Sequence, residues 1–152
     1  MSESCNSNKP ENGDVEVRRL AVVLVDDEEY ILRALNRIFR REPYRTLYTT
    51  TGAEGLKLLA ETPDVAVIVS DQRMPQMRGS EFLARSREFA PDAIRMLLTG
   101  YSDREATRAA MDEGRVSNCI KKPFDDSALL EIVRDGVRQF IENRSKQERV
   151  NP

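Results

Sequence analysis

The residues able to do chemistry in this chain gather at the ends of apolar runs. In "AVVLVDDEEY" (21–30) four carboxylates, Asp26, Asp27, Glu28 and Glu29, follow directly on one such run. "VAVIVSD" delivers Asp71, "LLTGY" delivers Thr99 and Gly100, and "CIKKPF" delivers Lys121 and Lys122 before Pro123. Like charges about 4 Å apart, at an effective dielectric near 20, repel by about 4 kcal/mol. Convergent acids therefore need a counter-charge, and a hard divalent cation supplies it. Mg²⁺ favours oxygen ligands and one or two carboxylates. Acids, Mg²⁺ and a lysine together suit phosphoryl transfer, where positioning and charge neutralisation carry the chemistry. Asp71 could attack as a nucleophile to form an acyl phosphate. Lys122 would neutralise the phosphoryl oxygens, and the Thr99 hydroxyl and Gly100 amide could donate to them. Gly100 has no side chain to obstruct that approach. Glu28 and Glu29 are expected in a first helical turn, favoured by the helix dipole.

Such convergence needs elements that aim every run at one edge. Five short apolar runs alternate with segments of helical spacing. The predicted strands are 20–25, 44–50, 64–71, 93–101 and 116–122, the second weaker, more polar and placed at an edge. Between them, Ile31, Ala34, Leu35, Ile38 and Phe39 form one helical stripe, ended by Pro43. Thr51 and Glu54 resemble a capping box, with Leu56, Leu59 and Ala60 as the face of the helix that follows. Phe82, Leu83, Ser86 and Phe89 mark a third helix. Ser102 and Glu105 open a fourth, with Ala106, Ala109 and Ala110 and a stop at Gly114. Leu129, Leu130, Val133, Val137, Phe140 and Ile141 stripe the last. This alternation implies a parallel α/β sheet with helices on both faces. In such sheets sites form outside the carboxyl ends of the strands, at the topological switch point, so strands one and three should be neighbours. Residues 1–18 are expected to be a disordered tail. Residues 145–152 are expected to be a charged tail continuing the last helix, or the start of a linker.

Composition narrows the functions. The chain has 152 residues, 33% of them charged, and a net charge of −2, which favours one globular domain and argues against a general polyanion binder. Nucleic-acid binding is therefore not expected. There is no histidine, so histidine acid/base catalysis, metal ligation and phosphorylation are excluded. No apolar run approaches the length of a membrane span, and the N-terminus lacks the apolar core of a signal peptide. Cys5 and Cys119 lie far apart, and a reducing cytoplasm fits best.

"VLVDDEE", "SDQRMPQMRG", "LLTGY" and "KKPF" together resemble the receiver domain of bacterial two-component response regulators, over residues 19–144. The resemblance implies a flavodoxin-like (βα)5 fold with strand order 2-1-3-4-5. It implies phosphorylation of Asp71 by a histidine kinase or phosphotransfer protein. Mg²⁺ would be bound by Asp27, Asp71 and the backbone carbonyl of Arg73, with Asp26 helping largely through water. Lys122 matches the family lysine, and Pro123 is expected after a cis peptide bond. In that family an aromatic residue usually stands where this chain has Cys119, which is read here as a small buried strand residue. The signal is then expected to leave through the loop after strand four, with Tyr101 as reporter. Arg73 and Tyr101, bulky residues flanking the chemistry, are expected to slow loss of the phosphoryl group. "DQRMP" with "LLTGY" further resembles receivers that precede phosphodiesterase domains of the HD-GYP type or transcriptional modules, so an output domain is an expected partner. Pairing with a second copy would use Asp112, Arg115, Lys121, Asp125 and Arg134.

Three rivals are weaker. A phosphatase of the haloacid dehalogenase type wants an acid two residues after the nucleophile, where this chain has Arg73. A receiver that no longer takes phosphate typically lacks one of the acids or the lysine. A flavodoxin-like nucleotide binder needs a Gly- or Ser/Thr-rich loop after the first strand, where four acids stand.

Overall fold

A computed structural model describes residues 12–100 and 116–150, with 105, 108, 109 and 111 between them. Five strands, β1 (Ala21–Val25), β2 (Arg45–Thr49), β3 (Val65–Asp71), β4 (Ile94–Thr99) and β5 (Asn118–Lys121), form one parallel sheet in the order β2-β1-β3-β4-β5. The expected order therefore stands, with β1 and β3 adjacent and the polar β2 at an edge. The helices are α1 (Asn12–Arg19), α2 (Glu29–Phe39), α3 (Gly52–Glu61), α4 (Gly79–Ser86) and α5 (Asp126–Val150).

Consecutive apolar residues in the central strands serve two cores, because successive side chains point to opposite faces. Val22, Leu24, Val67, Val69, Met96 and Leu98 face α2 and α5, meeting Leu35, Phe39, Leu129, Val133 and Phe140. Ala21, Val23, Val25, Ile68 and Leu97 face α3 and α4, meeting Leu59, Phe82 and Leu83. One slip in register between β1 and β3 passes over Ala66, so Ala66 and Val67 share a core. Each fully buried Leu, Val or Phe contributes about 1.5–3 kcal/mol, and every residue of β1 is buried.

Several expectations are corrected. Residues 12–18, expected in a disordered tail, belong to α1. Val17 packs against the α2/α5 core, and Arg18 and Arg19 end the helix where its dipole favours cations. That packing comes from a distant element, and local composition does not reveal it. In α3 the inner face is Gly52, Gly55 and Leu59, with Leu56 packed partly buried against the same core as expected, while Ala60 is exposed. A Cβ at Gly55 would sit 2.7 Å from the Phe82 ring, so the absent side chain lets α3 and α4 approach. Phe89 lies beyond the end of α4 and is 42% exposed. Thr51 does cap α3, accepting from the Glu54 amide at 3.1 Å, but the Glu54 carboxylate accepts from Thr49 Oγ1 at 3.1 Å and does not return to Thr51. Glu28 is the N-cap residue of α2, and Glu29 opens its first turn. The Ser102–Glu105 capping box, the stop at Gly114 and Tyr101 fall wholly or partly outside the described residues.

Candidate functional site

The carboxyl ends of β1, β3, β4 and β5 converge as expected. Asp26 follows β1 and is fully buried. Its Oδ1 accepts from the Glu28 amide at 3.0 Å, so one oxygen helps order the turn into α2. Its Oδ2 lies 3.1 Å from Lys122 Nζ, and the same ammonium stands 2.9 Å from Asp71 Oδ1. Lys122 thus bridges two acids 45 residues apart in sequence. Asp27 is exposed, and one oxygen from each of Asp26, Asp27 and Asp71 falls within 4.8 Å of the others. Thr99 ends β4, is buried, and its carbonyl accepts the Lys122 amide at 2.8 Å. Gly100 follows it, half-buried. Arg73 is exposed in the loop after Asp71. The Lys122–Pro123 peptide is cis, as the resemblance implied.

Electrostatics follow from burial. Desolvation raises the pKa of Asp26 above the ordinary carboxylate value, against the Glu28 amide and Lys122, which lower it. Desolvation raises Asp71 as well, with the bond to Lys122 opposing and the Asp26 charge adding. Burial pulls Lys122 down, but its bonds to Asp71 and Asp26 outweigh burial and leave its pKa raised. The ammonium therefore persists through neutral pH. Lys122 meets Asp26 and Asp71, and the cluster that these two form with Asp27 offers hard oxygen donors that fit Mg²⁺.

Three contributors were not anticipated. Gln72 is buried. Its carbonyl accepts from the Gly79 amide at 3.0 Å, its Oε1 from the Ser80 amide at 2.8 Å, and its Nε2 donates to Ser80 Oγ at 3.2 Å. These bonds close the neck of the 73–78 loop. Gly79 crosses that neck so tightly that a Cβ there would lie 2.1 Å from the Asp71 carbonyl oxygen. Ser70 Oγ donates to that same oxygen at 3.0 Å. The only sequence signal was a glutamine directly after the acid with Gly-Ser seven and eight residues on. Within the loop, Gln76 takes φ of 70°, a left-handed conformation uncommon outside glycine.

Other expected residues are committed elsewhere. Arg134 binds Glu42 through Nε at 2.7 Å and Nη2 at 3.1 Å. Asp125 caps α5, accepting from the Ala128 amide at 2.9 Å. Both therefore also make bonds within the chain. Lys121 is exposed, and Asp112 and Arg115 lie outside the described residues. Cys119 is half-buried on β5 beside Leu97, and burial pushes its thiol pKa up, which opposes a thiolate role. Among the described residues no helix is long and apolar enough to cross a membrane.

Comparison with known proteins agrees with this geometry. Residues 22–134 match the family described as response regulator receiver domain. The chain is 37% identical over 119 residues to the hydrogenase transcriptional regulatory protein HoxA of Bradyrhizobium diazoefficiens, covering 78% of this chain but 24% of that protein. It therefore spans about a quarter of that regulator's length. It is 26% identical to sporulation initiation phosphotransferase F of Bacillus subtilis, covering 82% of this chain and 95% of that one. Its fold superposes with a TM-score of 0.78 on the signal receiver domain of an HD domain-containing protein from Pseudomonas fluorescens Pf-5, at 33% identity and covering 84% and 93% of the two chains. Receiver domains are phosphoacceptors in two-component signalling, and the family binds Mg²⁺ at an acidic cluster. With its motifs at the expected strand ends and the family matched over most of its length, this chain belongs to the response regulator receiver domain family.

Proposed function

We propose that Asp71 is the phosphoacceptor of this receiver and that Asp26, Asp27, Lys122, Thr99, Gly100 and Arg73 serve its phosphorylation. The observation that carries this reading is the Lys122 ammonium held between Asp71 and Asp26. Asp71 holds a nucleophilic oxygen at the end of a buried strand, and the closed neck behind it fixes its backbone. Lys122 neutralises charge on the incoming phosphoryl oxygens. Thr99 and the Gly100 amide would donate to those oxygens. Asp26, Asp27, Asp71 and the Arg73 carbonyl would hold Mg²⁺, which supplies Lewis-acid neutralisation of the phosphoryl group when bound. The chain thus catalyses its own phosphorylation and dephosphorylation, with Arg73 limiting access of water. The phosphoryl donor is a histidine kinase or phosphotransfer protein of the cytoplasm. The phosphorylated form acts on an output domain, transcriptional or of the HD type, for which the relatives' names are the support.

Intact-mass spectrometry after incubation with acetyl phosphate and Mg²⁺ tests the reading. One added phosphoryl group is expected on the parent, and none without Mg²⁺ or in Asp71→Asn. An adduct that persists in Asp71→Asn at the same yield would refute the assignment.

A further inference from the structure

The opposite end of the sheet holds a second charged site. Arg95, the second residue of β4, is only 6% exposed, yet its hydrogen-bond partners are all neutral. Its Nε donates to Ser86 Oγ at 2.9 Å and to the Leu83 carbonyl at 3.3 Å. Nη1 donates to the Ala93 carbonyl at 2.7 Å, and Nη2 donates to the Ala90 carbonyl. A guanidinium has five N–H donors, and these bonds use one on each Nη, so each Nη keeps a second N–H.

Arg95 borders a cavity of about 320 Å³, lined also by Arg87, Asp92, Ser117, Asn143 and Arg144. Arg144 is paired with Asp64 at 2.9 Å. Among the described residues lining the cavity, Asp92 is the one acid left beside Arg87 and Arg95, which leaves one positive charge in surplus there. Burial and the neighbouring Arg87 lower the pKa of Arg95 to about 10, with Asp92 opposing. A buried charge without a counter-charge is costly, and a paired N–H fork matches the two oxygens of an oxyanion.

We infer that this cavity binds an oxyanion of the phosphate class, gripped by the two remaining Nη donors of Arg95 and neutralised with the help of Arg87. The site is separate from the phosphoacceptor. Arg95 and Thr99 stand at opposite ends of β4, about 13 Å apart at about 3.3 Å per residue. Occupancy should therefore depend on neither Mg²⁺ nor Asp71.

The test is a titration of the full chain with inorganic phosphate in EDTA at constant ionic strength, followed by NMR of backbone amides and the arginine Nε–H signals. Saturable shifts are expected at Arg95 Nε–H, Ser117 and Asn143, unchanged in Asp71→Asn. Arg87→Gln should weaken the apparent affinity about ten-fold, as loss of a charged partner does. Acetate, a carboxylate, is expected to bind more weakly than phosphate. Shifts that never saturate, that are equal in Arg87→Gln, that are matched by acetate, or that appear only around Asp71 would each overturn the inference.

Discussion

Replacing Gly79 with alanine should injure the fold and the site together. The new Cβ would lie 2.1 Å from the Asp71 carbonyl oxygen, 2.9 Å from its carbon and 3.0 Å from Gln72 Cα. All three are backbone atoms, so no rotamer change relieves the contact. Optimal separations are near ~3.5 Å, and the neck must open by about 1 Å or more. Opening it breaks up to three hydrogen bonds, those from Gly79 N, Ser80 N and Gln72 Nε2. At about 1 kcal/mol each, the loss is about 3 kcal/mol, which agrees with the ~1–3 kcal/mol typical of overpacking. Ser80→Ala removes only the Gln72 Nε2 bond and should cost about 1 kcal/mol. Urea denaturation of parent, Ser80→Ala and Gly79→Ala should rank them in that order. Because the displaced atoms belong to Asp71 itself, phosphoryl uptake from acetyl phosphate should slow by about ten-fold or more in Gly79→Ala. A Gly79→Ala protein within about 0.5 kcal/mol of the parent, with unchanged uptake, would refute the account of the neck.

Lys122→Met should make stability fall more steeply with pH in the absence of Mg²⁺. The folded pKa values of Asp26 and Asp71 are already raised, so their stabilising contribution is present at acid pH and lost as pH rises through those values. Removing the ammonium raises them further, and two carboxylates within 4.8 Å repel by about 3 kcal/mol at an effective dielectric near 20. Urea midpoints at pH 4.5 and 7.5 should diverge between parent and variant, and a pH-independent difference would count against the bridge. Thr51→Ala should cost about 1 kcal/mol through loss of the α3 cap, read as a lower thermal midpoint. Ser86→Ala strips the buried Arg95 of its side-chain acceptor and should cost about 1.5–3 kcal/mol, the range for bonds to charged groups. A change below about 0.5 kcal/mol would mean that the Leu83 carbonyl alone suffices.

The strands and the convergent acids were legible because both rest on local signals. A β-branched run ending on a carboxylate reads the same whatever packs against it, as Val25 before Asp26 and Ser70 before Asp71 show. The residues that escaped notice act through distant partners. Val17 gains its place from the core beneath α5, and Gly55 is small because Phe82 lies against it. Gln72 reads as an ordinary loop residue until Ser80 returns to meet it. Arg95 interrupts an apolar strand without betraying that the carbonyls at the end of α4 await it.

Helix α5 is 25 residues long, about 38 Å at 1.5 Å per residue. It is fastened at three heights: the Asp125 cap, the Arg134–Glu42 bridge and the Arg144–Asp64 bridge. Its cap stands three residues after Lys122, at the acidic edge, whereas Glu42 and Asp64 precede β2 and β3 at the opposite edge. In mechanical terms it is a strut, stiff along its axis and tied at both rims of the sheet. Long helices curve only gently unless a proline, a bulge or an inserted group kinks them, and α5 has no proline. A displacement imposed at the Lys122 end would then be carried along the rod toward its far ties at Glu42 and Asp64, coupling the two rims of the domain as parts of one lever.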